Sequence, residues 1–575
     1  MITKRFTLKP NHMLGLRKAE YEMRMTRSNL TFMLDRHLSD PNSDYLKSDE
    51  FEELYDRYLL AFLNWEQVQE GIIDLIMGQH ISNRQFTYEN SFMYVTISSN
   101  EKIPVSAEYR EEYVPEQQKF MSYTDLIAKI YPREVDPNAN GKDRVLSRTV
   151  TFQVTDKCNL ACTYCYQINK GTRQMKPEDA RLFVDKLLSG EDGFDSYVNP
   201  DISPAIIIEF IGGEPFIAIE LIDEIVDYFR LRLIQLRHPW MEKFCISICS
   251  NGVLYEDPKV QQFLQKNKDN ISFSITLDGN KELHDKCRVF PDGSGSFDLA
   301  EPATQDWMSR GYYMGSKITI SPENLPYIYD ALMHIVGLGY DEIHANCVYE
   351  AEWTNENANE LYELMKRFSD FMLSDKKYRD LDCSLYVKTL GTPKKEDDLQ
   401  NWCGGTGSML AMDPDGWLFP CIRYMESSLG TDQKPMRIGN VHTGIAQCME
   451  HKNCIDCLNE ITRRSQSTDE CFYCPIAEGC SWCSAYNFQV YGTADKRVTK
   501  ICPMHKGRVL ANVYHWNNYY KKYGIPEHFD LWVPRQWAEP IIGKVEYEKL
   551  VNLVKSMGGY VNESDEKIRN YRADE

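Results

Sequence analysis

This chain lacks any apolar stretch long enough to cross a bilayer. Runs such as residues 205–210, already broken by Glu209, fall far short of the roughly 20 residues that a membrane helix needs. No apolar segment follows the charges of MITKRFTLKP at the start, so no secretory signal is read there. An excess of positive charge is missing too. Lys and Arg number 65 against 85 Asp and Glu, a formal net charge of -20, which argues against nucleic acid as a partner. Internal repeats and low-complexity tracts are absent, and the first 145 residues hold no cysteine. At 575 residues, 42% of them hydrophobic, the chain exceeds one ordinary core and predicts about two to four domains. The expectation is an acidic, soluble, cytoplasmic protein.

Cysteine then becomes abundant, with 18 between positions 158 and 502. A reducing compartment does not sustain a disulfide framework, and such frameworks belong to small secreted domains. Metal is the better default for these thiols.

The chain changes character along its length. Helical periodicity over 49–77 and a strand-forming run at 92–98 predict a mainly helical module over 1–145, closed by a polar linker at 136–143. From 148 onward, β-branched runs at 149–154, 205–211, 244–249, 271–277, 316–320 and 341–347 alternate with helical stretches at 177–188, 219–236, 257–266, 299–310, 323–336 and 355–373. That alternation predicts an α/β fold, a partial (β/α)6 TIM-like barrel over 146–390. Cysteines crowd the next segment, 391–510, where order is expected from metal more than from an apolar core. A helical, aromatic-rich tail occupies 511–575.

The sharpest motif is Cys158-Asn-Leu-Ala-Cys162-Thr-Tyr-Cys165, directly after the first barrel strand. Three thiolates on one short loop suit three irons of a cubane and leave the fourth without a protein ligand. A zinc loop is the competing reading, but zinc sites pair CxxC with a second ligand pair, and none lies nearby. The CxxxCxxC loop resembles that of the radical S-adenosylmethionine enzymes. In that family the open iron chelates S-adenosylmethionine, and an electron from the cluster splits it into methionine and a 5′-deoxyadenosyl radical.

Further stretches agree with the resemblance. Tyr164 matches the family's aromatic beside adenine. Gly212-Gly213-Glu214-Pro215 resembles its GGEP motif, whose glycines let backbone approach the ligand and whose Glu accepts from the methionine ammonium. Ser250-Asn251-Gly252 resembles the stretch near ribose and carboxylate. Asp278-Gly279, followed by His284-Asp285 and Arg288, matches the DG…HDxxR pattern, with Thr276 as a departure from the commoner SLDG. The resemblance assigns Tyr164, Gly212, Gly213, Glu214, Ser250, Asn251, Asp278 and Arg288 to cofactor binding.

The later cysteines resemble the SPASM extension of peptide-modifying members. Their order is Cys403, Cys421 behind Gly416, then Cys471-x2-Cys474-x5-Cys480-x2-Cys483 and Cys502, one residue shorter before Cys483 than the usual spacing. By resemblance, Cys471, Cys474, Cys480 and Cys502 hold one auxiliary cluster. Cys403, Cys421 and Cys483 hold another, whose fourth ligand is not evident, making three [4Fe–4S] clusters in all. A pair of zinc knuckles is the alternative. Cys448, Cys454 and Cys457 are free to supply a fourth ligand, to form a reducible pair, or to be incidental. Cys245, Cys249, Cys287, Cys347 and Cys383 read as inert buried thiols.

The resemblance implies a peptide maturase acting on a ribosomal precursor with a leader, fed by an external flavodoxin- or ferredoxin-like one-electron donor. Cysteine thioether formation is the leading expectation. The alternatives are sulfatase maturation, carbon–carbon crosslinking or epimerisation of a peptide, and, outside enzymes, an iron–sulfur electron carrier. Sulfatase maturases place an Asp directly after the cysteine matching Cys421, whereas Ile422 and Arg423 stand here.

Overall fold

The computed structural model describes residues 2–39, 45–77, 84–89, 92–99, single positions between 103 and 109, and 147–562 except 311, 313, 314, 341, 380, 400–402, 404, 406, 431, 432, 446–457, 459 and 460. The linker expected at 136–143 and the three cysteines Cys448, Cys454 and Cys457 lie outside the described residues. The chain divides into two compact units. One comprises Met1–Asp136 with Phe229–Phe244 and Lys266–Ile271, and the other comprises the remainder.

In the first unit, β1 (Ile2–Thr7), α1 (Pro10–Ser39), α2 (Asp49–Met77), β2 (Arg84–Glu89) and β3 (Phe92–Ser99) follow in order. The strands pair antiparallel as β1-β3-β2. Alternation along β3 buries Val95 and Ile97, which join Leu8, Leu16, Ile72, Ile73 and Ile76 in one apolar cluster. The helix expected over 49–77 is α2.

Over residues 147–374, each β-branched run becomes a strand and each periodic stretch a helix. These are β4 (Ser147–Thr155), α3 (Pro177–Ser189), β5 (Ala205–Gly212), α4 (Ile219–Gln235), β6 (Phe244–Ser250), α5 (Pro258–Asn267) and β7 (Ile271–Ile275). After them come α6 (Lys281–Cys287), α7 (Phe297–Ser309), β8 (Ser316–Ile320), α8 (Leu325–Gly337), β9 (Glu342–Cys347) and α9 (Asn355–Ser374). The local reasons are visible at α3. Pro177 opens it with φ already set, Gly190 closes it at φ +74°, and Ala180, Phe183, Val184 and Leu187 form its buried stripe. Phe183 meets Phe152 of β4 at 4.9 Å between ring centroids, and Phe152 meets Phe210 of β5 at 5.5 Å. This aromatic contact holds the first βα unit against its neighbour.

The fold is mixed α/β around a central sheet of order β14-β13-β12-β11-β4-β5-β6-β7, while β9 pairs with both β8 and β10 (Asp382–Cys383) in a separate sheet. Four short strands come from the cysteine-rich segment, which was expected to have little regular structure. They are β11 (Met409–Met412), β12 (Trp417–Phe419), β13 (Gly439–Asn440) and β14 (Gly444–Ile445). β11 runs parallel to β4 with Leu410 opposite Val150, so this segment extends the sheet that carries the first motif. Beyond the short helical turns Arg463–Gln466 and Asp469–Phe472, the described residues include α10 (Ser484–Tyr491), α11 (Cys502–Tyr523) and α12 (Arg535–Ser556). Among the described residues no helix is long and apolar enough to cross a membrane.

Buried histidines tie this fold to pH. His515 of α11 is buried, its Nδ1 2.9 Å from Ser369 Oγ on α9. Burial pushes its pKa down to about 3 and that of His284 down to about 4. An unfolded chain takes up these protons near pH 6.5. The stability they confer is therefore complete above that value and is lost as pH falls below it. Each ring is expected to cost about 2 kcal/mol of stability between pH 6.5 and 5. Urea melts at the two pH values check this, and His515→Gln should flatten the slope.

Candidate metal and cofactor site

The loop after β4 carries Cys158, Cys162 and Cys165, all half-buried. Its backbone is pinned from outside, because Ala161 N–H donates to Val289 O at 2.7 Å and Thr163 N–H to Cys287 O at 2.9 Å. Leu160 N–H donates to Cys158 Sγ at 3.4 Å. Burial pushes the Cys158 and Cys162 thiols up, and the nearby Lys170 and Arg288 charges oppose it. Charges of that sign favour the thiolates that a metal requires.

The turn after β5 packs directly under this loop. Gly213 N–H donates to Thr155 O at 3.0 Å and Glu214 N–H to Lys157 O at 2.8 Å. A Cβ on Gly213 would lie 2.7 Å from Cys158 Cβ and closer still to the Lys157 carbonyl. Backbone would have to move, since neither neighbour is a flexible side-chain end. Gly213→Ala is thus expected to displace the cysteine loop. It should lower reconstituted iron and weaken S-adenosylmethionine binding at least tenfold, measured by iron assay and equilibrium dialysis.

Glu214 is 1% exposed. It accepts from Ser250 Oγ and Asn251 N–H, both at 2.8 Å, and from Phe216 N–H at 3.2 Å. Burial pushes its carboxyl up to about 6 against those donors. Asn251 Nδ2 in turn donates to Asn159 Oδ1 at 2.7 Å, linking the end of β6 to the cysteine loop. Asn159 was not singled out in the sequence, although it sits inside the motif itself.

A second network closes the other side. Asp278 Oδ2 accepts from the Tyr164 hydroxyl and, at 2.9 Å, from Arg288 Nε. Arg288 lies over the Tyr164 ring, 5.5 Å from its centroid. Asp278 N–H faces His284 Nδ1 at 3.4 Å, and His284 Nε2 meets Ser296 Oγ at 3.0 Å. Asp278 Oδ1 and Asn159 Nδ2 are buried with no hydrogen-bond partner among the described residues. A buried acceptor and donor left open are costly unless a ligand uses them. Glu214, Ser250 and Asn251 on one side and Tyr164, Asp278 and Arg288 on the other are thus linked to the cysteine loop, and the donor set fits an iron–sulfur group with an amino-acid ligand beside it.

The later cysteines fall into two sets. Around Cys421 the acting thiols are Cys483 and Cys403, which with burial push it up strongly. Gly405 is their neighbour: a Cβ there would lie 3.2 Å from Cys421 Sγ and 3.7 Å from Cys403 Sγ. Cys403 Sγ is 3.4 Å from Ser484 Oγ at the start of α10. Cys474 is pushed up to about 12 by burial, with Cys480, Cys502 and Cys471 adding to it. Cys502 is pushed up to about 11 by burial, then by Cys480 and Cys471. Cys480 and Cys483 are two residues apart in spacing yet serve different sets. Among the described residues no three His, Cys, Asp or Glu converge tightly enough for one metal ion. Ligands of a single zinc would stand about 3.8 Å apart, given its 2.3 Å bonds to sulfur, whereas a cubane spreads them wider.

β12 returns antiparallel to β11, with Ala411 opposite Phe419. Cys421 therefore lies toward the beginning of β4 and the first motif toward its end, about 20 Å away along the strand. Tyr166 stands between them. Its ring feels Cys165, Glu209, Arg423 and Cys249, with Arg423 5.4 Å from the ring centroid. Of the cysteines read as inert, Cys287 and Cys383 are buried, Cys245 and Cys347 half-buried, and Cys249 is exposed, its Sγ 3.2 Å from Thr276 Oγ1.

No family model matches the chain. It is 22% identical over 43% of its length to a serine-type anaerobic sulfatase-maturating enzyme of Bacteroides thetaiotaomicron, covering 60% of that protein. It is 25% identical over 44% of its length to an AdoMet-dependent heme synthase of Oleidesulfovibrio alaskensis, again covering 60%. The chain thus spans about three fifths of these curated relatives. A solved structure of anSMEcpe with bound AdoMet covers 65% of this chain and 98% of its own, at 18% identity and a TM-score of 0.48. These sequence relatives bear out the resemblance of the cysteine loop to that of the radical S-adenosylmethionine enzymes.

Proposed function

We propose that this protein is a cytoplasmic radical S-adenosylmethionine maturase that joins a cysteine sulfur to carbon in a ribosomal precursor peptide. In this reading β4 to β9 form a partial (β/α)6 barrel, residues 391–510 a SPASM region, and the chain holds three [4Fe–4S] clusters. The first unit serves leader recognition. When bound at Cys158, Cys162 and Cys165, the cluster supplies the electron that cleaves S-adenosylmethionine. Glu214 takes the methionine ammonium, with Ser250 and Asn251 holding its carboxylate in place. Tyr164 lies against adenine, and Asp278 and Arg288 fix that ring through their bridge.

The observation that carries the thioether reading is the approach of Cys403 and Cys421 to one glycine, Gly405, with Cys483 and Cys403 the thiols that act on Cys421. With three thiols in this set among the described residues, one iron would be left for a substrate sulfur. Sulfatase maturation is the second reading, favoured by the Bacteroides relative. The residues after Cys421 supply no carboxylate base there, and Arg423 is engaged with Glu350. Anaerobic reconstitution with S-adenosylmethionine, dithionite and a short cysteine-bearing peptide encoded beside this chain is the test. Formation of 5′-deoxyadenosine with a peptide two hydrogens lighter supports the proposal, and no 5′-deoxyadenosine at all refutes it.

A further inference from the structure

Residues 496–526 contain seven Lys and Arg and not one Asp or Glu, in a chain where acids outnumber bases 85 to 65. The first part of this run wraps the four-cysteine set. Arg497 Nη2 donates to the Cys480 carbonyl at 2.7 Å, and Lys506 and Arg497 both act on the Cys502 thiol. Lys506 extends over Trp537, its Nζ 4.2 Å from the ring centroid, and Lys496 sits over Tyr491 at the same distance. Lys496 and Lys500 are exposed. Carboxylates on neighbouring segments are largely engaged. Asp469 pairs with Arg464 at 2.8 Å, Glu478 with Lys394 at 3.2 Å, and Asp495 accepts from Thr493. Glu470 stands exposed beside Cys471.

The same cysteines lie near solvent. Cys471, Cys474, Cys480 and Cys502 are each half-buried, and Tyr473 between the first two is 40% exposed. An iron–sulfur group held by these half-buried thiols, flanked by Arg497 and Lys506 with Lys496 and Lys500 exposed nearby in the chain, would suit an acidic partner. Opposite charge steers such an encounter, raising association rates by about 10- to 1000-fold at low salt.

We propose that this face docks a small acidic one-electron carrier protein, which delivers its electron to the iron–sulfur group of Cys471, Cys474, Cys480 and Cys502. The inference rests on the functional reading above. The carrier's reduced cofactor loses one electron and the chain's cluster gains it; no atom or proton is transferred. The rival entry point is the first cysteine loop, where Lys157 and Lys170 are exposed.

The test uses the reconstituted full chain and a reduced acidic flavodoxin as probe, with binding followed by calorimetry and 5′-deoxyadenosine formation followed in parallel. Lys496→Glu and Lys500→Glu together are expected to weaken flavodoxin binding about tenfold or more at low salt. Flavodoxin-driven turnover should fall by a similar factor, and dithionite-driven turnover should stay at the wild-type rate. The difference should vanish near 1 M salt, where screening reaches about 3 Å. Unchanged binding, or a loss confined to reversal of Lys157 and Lys170, overturns the proposal. Should the double variant fail to fold, salt-independent flavodoxin binding by the wild type overturns it equally. No 5′-deoxyadenosine from wild type with dithionite would instead refute the radical reading, and the calorimetry would still decide the docking.

Discussion

Replacing Cys158, Cys162 and Cys165 together by Ala is expected to remove about a third of the bound iron, four of about twelve atoms if three cubanes are present. S-adenosylmethionine cleavage should disappear completely. The magnitude follows from the placement of these thiols. They share one loop whose backbone is held by Val289 and Cys287 carbonyls, not by the sulfurs. Removing the sulfurs therefore abolishes the metal site while the loop keeps its course, and circular dichroism should be unchanged. The auxiliary iron should survive, because its cysteines lie on other segments. Arg288→Ala should behave differently: iron stays, while cleavage falls through loss of the bridge to Asp278 and Tyr164. Zinc in place of iron at these thiols, or cleavage persisting in the triple variant, would refute the assignment.

Much of the second unit was legible because its strands are buried on helices and therefore read as β-branched runs. β5, predicted over 205–211, spans Ala205–Gly212. The helix expected at 355–373 is Asn355–Ser374, closed at its start by a Thr354 capping box. Strands β11 to β14 escaped detection because two to four residues cannot display a period. The partition of the later cysteines was legible only through resemblance. Spacing alone joins Cys480 to Cys483, yet α10 begins at Ser484 and turns Cys483 toward Cys403 and Cys421. Contacts such as Asn251 with Asn159, 92 residues apart, carry no local signature at all. Nor does Asp278 Oδ1, whose missing partner becomes visible only once Tyr164 and Arg288 are seen to occupy the other oxygen.

Cys403→Ala is expected to abolish thioether formation while 5′-deoxyadenosine production remains measurable. Cys403 lies with Cys421 about Gly405, on a segment other than the first cysteine loop. Its loss removes one of three thiols there and leaves the Glu214 and Asp278 networks untouched. Those three thiols leave room for a substrate thiolate, whose pKa drops on metal binding and whose sulfur is thereby held in place for reaction. Joining that sulfur to carbon removes one hydrogen atom from the carbon, one proton from the thiol and one electron. The product is thus two hydrogens lighter and has one cysteine that resists alkylation. Each other outcome selects a different chemistry by mass spectrometry. Unchanged mass means epimerisation, and a two-hydrogen loss with every cysteine still alkylatable means a carbon–carbon bond or dehydrogenation. Cys448→Ala, Cys454→Ala and Cys457→Ala supply the decisive control. If any one of them loses as much iron and thioether product as Cys403→Ala, the second set has four protein thiols, and substrate sulfur has no iron left to bind.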